Sequence, residues 1–174
     1  MELRTKRLLM RKYREEDMPA IARLLGDRRV SATTLTIPHP YTEDDARKHV
    51  SSQQSPASKF GIFIESGELV GGIGLSVEES HKRAELGYWV GVPYWGKGYA
   101  TEAASEMLRH GFEDLKLNRI HAGVFRGNAA SEQVLRKIGM KHEGTLRQHF
   151  LKRGEYLDDE CYAILASEWR ALHL

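Results

Sequence analysis

Apolar residues in this chain come in short blocks, some alternating and some repeating every three or four positions. The densest block, Ala84–Val90, is rich in Leu, Tyr, Trp and Val and predicts a buried strand. Gly91–Gly98 follows as a turn. Ala100, Ala103, Ala104, Met107, Leu108 and Phe112 then recur near helical spacing, which predicts a helix from Tyr99 to about Phe112. Earlier in the chain, Leu8, Leu9 and Met10 mark one strand within Leu3–Tyr13. Arg14–Asp17 opens a helix over Met18–Leu25, with acidic residues suited to its dipole and Gly26 as its C-cap. Two prolines hold Ile37–Tyr41 extended. Thr42-x-x-Asp45 has the form of a capping box and starts a second helix, to about Gln53. Ser55–Ser58 reads as a loop. Lys59–Glu65 and Glu68–Ser76 read as a hairpin turning at Ser66-Gly67, and Glu78–Lys82 turns into the central strand. After the long helix come a strand over Asn118–Phe125 and a short helix over Asn128–Ile138, ended by Gly139. Two strands follow, Met140–Thr145 and Tyr156–Leu165, with Arg147–Glu155 between them.

A strand feeding a glycine-rich turn onto a helix N-terminus is a place for an anion. The first helical amides lack partners within the helix, and the macrodipole favours negative charge there. Gly96 and Gly98 let a phosphate approach the backbone with no Cβ in the way. Four readings of the turn compete. A nucleotide P-loop fails at Gly98, where Ser or Thr is needed to hold magnesium. A dinucleotide site fails at Thr101, where the third glycine is due. A diphosphate held by amides alone, and a turn with no ligand, both stay open.

The turn is not isolated. Ala84–Ala104 and Asn128–Met140 resemble the two signature segments of the GNAT acetyltransferase superfamily. Trp95-x-x-Gly98-x-Ala100 stands where that family has Arg/Gln-x-x-Gly-x-Gly/Ala, with Trp95 departing from the pattern. The run Tyr94–Ala103 resembles the ribosomal-protein N-terminal acetyltransferase subset. The resemblance extends from Thr5-x-Arg7-Leu8-x-x-Arg11 to Asp158-x-x-x-Tyr162-x-x-Leu165. It implies an α/β, GNAT-like fold: a central, mostly antiparallel mixed sheet of about seven strands with helices on both faces. It also implies acetyl-coenzyme A (acetyl-CoA) as donor and an amine as acceptor. That acceptor is a protein N-terminus of the ribosomal type or a small molecule such as a polyamine, amino acid or antibiotic.

Composition adds bounds. The length suits a single domain over 1–174, with 41% hydrophobic and 29% charged residues. A net charge of +2 with scattered basic residues gives no reason to expect a nucleic-acid partner. Cys161 alone forms no internal disulfide and no cysteine-based zinc site, and the histidines show no metal-ligand spacing. No apolar run approaches the roughly 18 residues of a membrane span, and the N-terminus has no signal-peptide pattern. The expectation is a cytoplasmic protein, monomer or homodimer, without metal.

Acetyl transfer from a thioester to an amine requires a held donor, a neutral amine, a stabilised oxyanion and a proton for the departing thiolate. The resemblance implies that the central strand and Asn118–Phe125 splay apart. The pantetheine arm then pairs with backbone around Val90 and Val92, and the amides of Gly96, Lys97, Gly98, Tyr99 and Ala100 take the diphosphate. Lys97 either adds charge to that site or is an ordinary surface lysine. Glu85 is the candidate base. A carboxylate in so apolar a strand costs energy unless it has a partner or a function, and burial would raise its pKa toward neutrality. A salt-bridged structural role is its alternative. Many family members carry an acid Tyr seven residues after the signature Asn; here that position is Leu135. In the ribosomal-protein subset a serine three after the Asn is the proposed acid, and Ser131 matches. Ser131 otherwise serves the helix start. Asn128 caps that helix, bonds the pantetheine arm, or does both. His39, Tyr41, Trp89, Tyr94 and His149 are the candidate acceptor contacts. A non-catalytic acyl-CoA-binding module is the reading from another class; it has no use for Glu85 or Ser131.

Overall fold

The computed structural model describes residues 1–51 and 58–173. The chain opens with β1 (Glu2–Arg4) and β2 (Leu8–Arg11), which pair antiparallel, so the single strand expected over Leu3–Tyr13 is two. Then come α1 (Met18–Leu25), α2 (Arg28–Ala32) and α3 (Glu43–Ser51). The capping box forms as expected. The Thr42 amide donates to the Asp45 carboxylate at 2.9 Å, and the Asp45 amide donates to Thr42 Oγ1 at 3.2 Å. The expected continuation of α3 to Gln53, and most of the loop expected at Ser55–Ser58, lie outside the described residues.

β3 (Ser58–Ile64), β4 (Leu69–Glu78) and β5 (Arg83–Val90) form an antiparallel meander. A short 3₁₀ turn, Val92–Tyr94, leads to α4 (Tyr99–Arg109), which runs into a π turn over His110–Asp114. β6 (Arg119–Phe125), α5 (Ala129–Lys137), β7 (Lys141–Lys152), β8 (Glu155–Leu165) and α6 (Ala166–Leu172) complete the chain. The strands form one eight-stranded sheet in the order β1-β2-β3-β4-β5-β6-β8-β7. β7 runs well past the expected end at Thr145, because it and β8 form a long ribbon turning at Arg153-Gly154.

The one parallel pair in that sheet, β5 with β6, is short. It holds Arg83 to Arg119, Ala84 to Ile120 and Glu85 to His121, and then stops. Beyond that point β5 continues with β4 as its neighbour, and β6 with β8. α1 and α3 cover one face of the sheet. Tyr13, His49 of α3 and Trp89 of β5 meet there, with ring centroids 5.3 and 6.4 Å apart. α4 buries Ala103, Ala104, Met107 and Leu108 on the other face.

Candidate active site

The turn after β5 is held from outside. Gly96 (φ 75°) and Gly98 (φ 80°) are left-handed, and at Gly96 nothing lies within 4 Å of where a Cβ would stand. The Glu102 amide donates to Gly98 O at 3.1 Å, so the amides ahead of it fall before the first bond of α4. The Glu102 carboxylate accepts from Thr5 Oγ1 at 2.6 Å, the Arg7 amide at 2.9 Å and Arg7 Nε at 2.7 Å. Burial opposes its ionisation, but these donors outweigh that and hold its pKa below the usual value. Arg7 also donates to Lys97 O at 3.1 Å and lies 5.0 Å from the centre of the Tyr99 ring. The opening Thr5-x-Arg7 segment therefore braces the turn. Open space at a positive-φ glycine, successive amides at a helix start and the parted strands fit a diphosphate with an extended amide-bearing arm.

Trp95, the departure from the family pattern, serves the turn locally. Its indole Nε1 donates to Val90 O at 2.7 Å. It covers a backbone carbonyl at the position where the pantetheine arm is expected to pair. Val92 begins the 3₁₀ turn. Lys97 is exposed, with its ammonium 5.4 Å from the Tyr94 ring centre.

Where β5 and β6 part, a cavity of 740 Å³ opens, lined by residues from β4, β5, β6, α5 and the 33–41 segment. Strand alternation sorts its floor. Glu85, Gly87 and Trp89 share one face with Gly74 and Gly72 of β4, and with Gly123 and Phe125 of β6. At Gly87 nothing lies within 4 Å of a would-be Cβ. The glycines hollow the floor, and this corrects the expectation for Glu85: its side chain is exposed to the cavity and not buried in an apolar strand. His121, its register partner, is half-buried with an unpartnered Nδ1. Burial pushes its pKa down while Glu85 pulls it up.

Tyr88 points to the opposite face. Its hydroxyl lies 2.7 Å from Ser131 Oγ, and burial pushes its pKa up to about 12. The Ser131 amide donates to Asn128 Oδ1 at 3.2 Å, so Asn128 is the helix cap. This leaves the Ser131 hydroxyl to the cavity wall and Tyr88. Residue-by-residue reading missed Tyr88. The signal was alternation, which sets it opposite Glu85 and toward α5.

The expected acceptor residues separate. Tyr41 and Trp89 line the cavity; His39 and Tyr94 do not. Tyr94 is buried beside the turn, with its hydroxyl donating to Glu68, because the 3₁₀ turn rotates it into the core. His149 is exposed in an irregularity of β7 and packs edge-on against Phe150, which does line the cavity. The 31–34 segment is tied to the β7–β8 turn: Lys152 Nζ donates to the carbonyls of Ser31 (2.5 Å), Ala32 (3.1 Å) and Thr34 (2.5 Å). Among the described residues no group of three or more His, Cys, Asp or Glu is placed to hold a metal ion. No helix among them is long and apolar enough to cross a membrane.

Residues 7–141 match the Acetyltransferase (GNAT) domain. The chain belongs to the GNAT acetyltransferase family and is an acyltransferase. It is 34% identical over 172 residues to the uncharacterized N-acetyltransferase YnaD of Bacillus subtilis (strain 168), covering 97% of this chain and 99% of that protein. It is 28% identical to the L-amino acid N-acetyltransferase AaaT of Escherichia coli (strain K12), covering 87% and 93%. Among solved structures, a GNAT-family acetyltransferase from Bacillus anthracis superposes with a TM-score of 0.89 at 32% identity, covering 97% and 100%. RimL, a ribosomal L7/L12 alpha-N-protein acetyltransferase in complex with coenzyme A, shares the fold. Its TM-score is 0.86 at 22% identity, covering 95% and 98%.

Proposed function

We propose that this enzyme transfers an acetyl group from acetyl-CoA directly to an α-amine, in the first place that of a protein N-terminus. The observation that carries the reading is the parting of β5 and β6 after Glu85 and His121, between a braced anion turn at one end and a polar cavity at the other. Peptide groups on the parted strands supply pairing for an extended amide-bearing arm, and the amides of Gly96–Ala100 supply it for a diphosphate. The Ser131 hydroxyl, backed by Tyr88, supplies a proton or hydrogen bond to the departing sulfur. An α-amine, with a reference pKa of about 8, is easier to neutralise than a lysine side chain near 10.4. That suits a site whose β5 carboxylate, Glu85, is exposed to the cavity. A free amino acid carries the same α-amine, and the likeness to AaaT makes it the second acceptor class.

Calorimetry with acetyl-CoA, followed by thiol release over free-N-terminus peptides and L-amino acids, tests the reading. Binding with turnover on a peptide α-amine supports it. No binding removes it, and turnover on amino acids alone moves the acceptor to the second class. Ser131→Ala should lower kcat by about 10²–10⁴ with acetyl-CoA affinity kept, if the hydroxyl serves the leaving group.

A further inference from the structure

Two buried side-chain oxygens without a hydrogen-bond partner open on the cavity, the Tyr41 hydroxyl and Asp159 Oδ1. Asp159 is the more telling. It is 6% exposed, in β8, paired in register with Phe125 of β6 and Leu146 of β7. Its carboxylate folds over the α-carbon of Gly123. A Cβ at Gly123 would stand 2.6 Å from Asp159 Oδ1 and 2.8 Å from Oδ2, so the glycine is what lets the carboxyl group lie there. By strand register Gly123 shares the face of Glu85 and Gly87, on the side where β5 and β6 have parted. A buried carboxylate left so poorly satisfied is costly to a fold and is kept where a ligand completes it.

We infer that Asp159 is the catalytic group that receives the acceptor's ammonium and takes its proton. This rests on the acetyl-transfer reading above. The R–NH₃⁺ group donates to Oδ1 and passes one proton to it, giving R–NH₂ and a neutral carboxyl. The amine lone pair then forms the N–C bond to the thioester carbonyl carbon while the C–S bond breaks. Sulfur leaves with its electron pair and takes a proton through the Ser131 hydroxyl, which is replenished by the second proton of the attacking nitrogen. The proton on Asp159 returns to solvent through the open cavity, so one proton is released for each acetyl group transferred. The Tyr41 hydroxyl, whose pKa burial pushes up to about 12, stays protonated and offers a second polar contact to the acceptor.

The electrostatics agree. Burial raises the Asp159 pKa above the usual carboxylate value, against the opposing pull of His149, the Cys161 thiol and the Val124 amide; Glu160 pushes it further up. The groups that act on it most are His149 from β7 and, on its own strand, Cys161, which shares its face, and Glu160, the next residue, which points to the other face; the facing positions of β6 are Gly123 and Phe125. Cys161 Sγ lies 3.7 Å from Oδ2, a weak contact that leaves Oδ1 free for a ligand.

Asp159→Asn in the full chain tests the inference. Expected is a loss in kcat/KM of about 10²–10⁴ on any α-amine that the wild type acetylates, with acetyl-CoA affinity unchanged by calorimetry. The acid limb of the wild-type pH profile, set above the ordinary carboxylate range, should vanish with it. Thermal stability at pH 8 should hold or rise: a carboxyl whose folded pKa is raised contributes stability below its unfolded pKa and loses it as pH rises through the folded one, and Asn removes that penalty. Gly123→Ala keeps the carboxyl but displaces it, so it should lower kcat/KM and move the acid limb. A rate within about threefold of wild type, or an acid limb that persists in Asp159→Asn, overturns the inference. So does a rate loss that only follows losses in stability and acetyl-CoA affinity. A wild type that fails to bind acetyl-CoA, or binds it and acetylates no α-amine, overturns the proposed function itself, and this inference with it; in those outcomes alone the wild type is inactive on α-amines.

Discussion

At the anion turn, Glu102 takes three donors from the β1–β2 connection, Arg7 reaches Lys97 O, and the Trp95 indole covers Val90 O. In the cavity beyond Glu85, by contrast, the Tyr41 hydroxyl and Asp159 Oδ1 are unpaired, and Gly87 faces open space. The turn uses its polar groups to hold its own shape. The cavity withholds them. The two halves of one site therefore contribute oppositely to stability: damage to the turn should show in the fold and in donor binding, and damage to the cavity in the acceptor alone.

The strongest effect on that division should come from Glu102→Ala. It removes charge-assisted bonds, discounted for the half-exposed Arg7, and should cost about 1–3 kcal/mol in denaturant unfolding while weakening acetyl-CoA binding. The ionised carboxylate is the form these donors stabilise, and its folded pKa is depressed. Its contribution is thus present above the unfolded value and lost as pH falls below about 4, so wild type and variant should converge in acid.

Two glycines separate the halves further. Gly98→Ala forces a Cβ into a left-handed residue, 3.4 Å from the Arg7 guanidinium. It should cost about 1–2 kcal/mol and raise the acetyl-CoA Kd by calorimetry. Gly87→Ala, at ordinary φ with open space around it, should leave melting and acetyl-CoA affinity nearly unchanged and raise only the acceptor KM. A Gly87→Ala protein that melts early would refute the division between the halves. The smallest effect is expected at Trp95→Phe, which loses one half-exposed hydrogen bond worth about 1 kcal/mol or less. Its main use is optical: loss of the acetyl-CoA-dependent change in tryptophan emission would show that the indole yields Val90 O to the donor.

Much of this molecule is legible locally. The Thr42 and Asp45 box, the central strand, the turn and α4 all follow from neighbours a few residues apart. What escaped depends on register. Glu85 looks buried because its strand is apolar, yet glycines on the same face of β4, β5 and β6 (Gly72, Gly74, Gly87 and Gly123) hollow it. Asp159 lies between two other acids and reads as a solvated charge; only the pairing of β6 with β8 sets it over Gly123. The outer reach of β7 is charged and lacks a core to face, so its pattern carries no strand signal, and α2 is too short to show a periodicity.

The early end of the β5–β6 ladder has a consequence for how the chain tolerates change. A peptide amide is supplied by every residue except proline, whatever its side chain. A partner read through such groups is recognised by a surface that most point substitutions leave intact. Side chains along these strands are then free to drift, and a relative sharing only 34% of its residues can meet the same backbone requirement with a different surface. On the proposed reading, new acceptors would become reachable by changing the cavity floor one residue at a time, with the backbone that pairs with the donor left as it is.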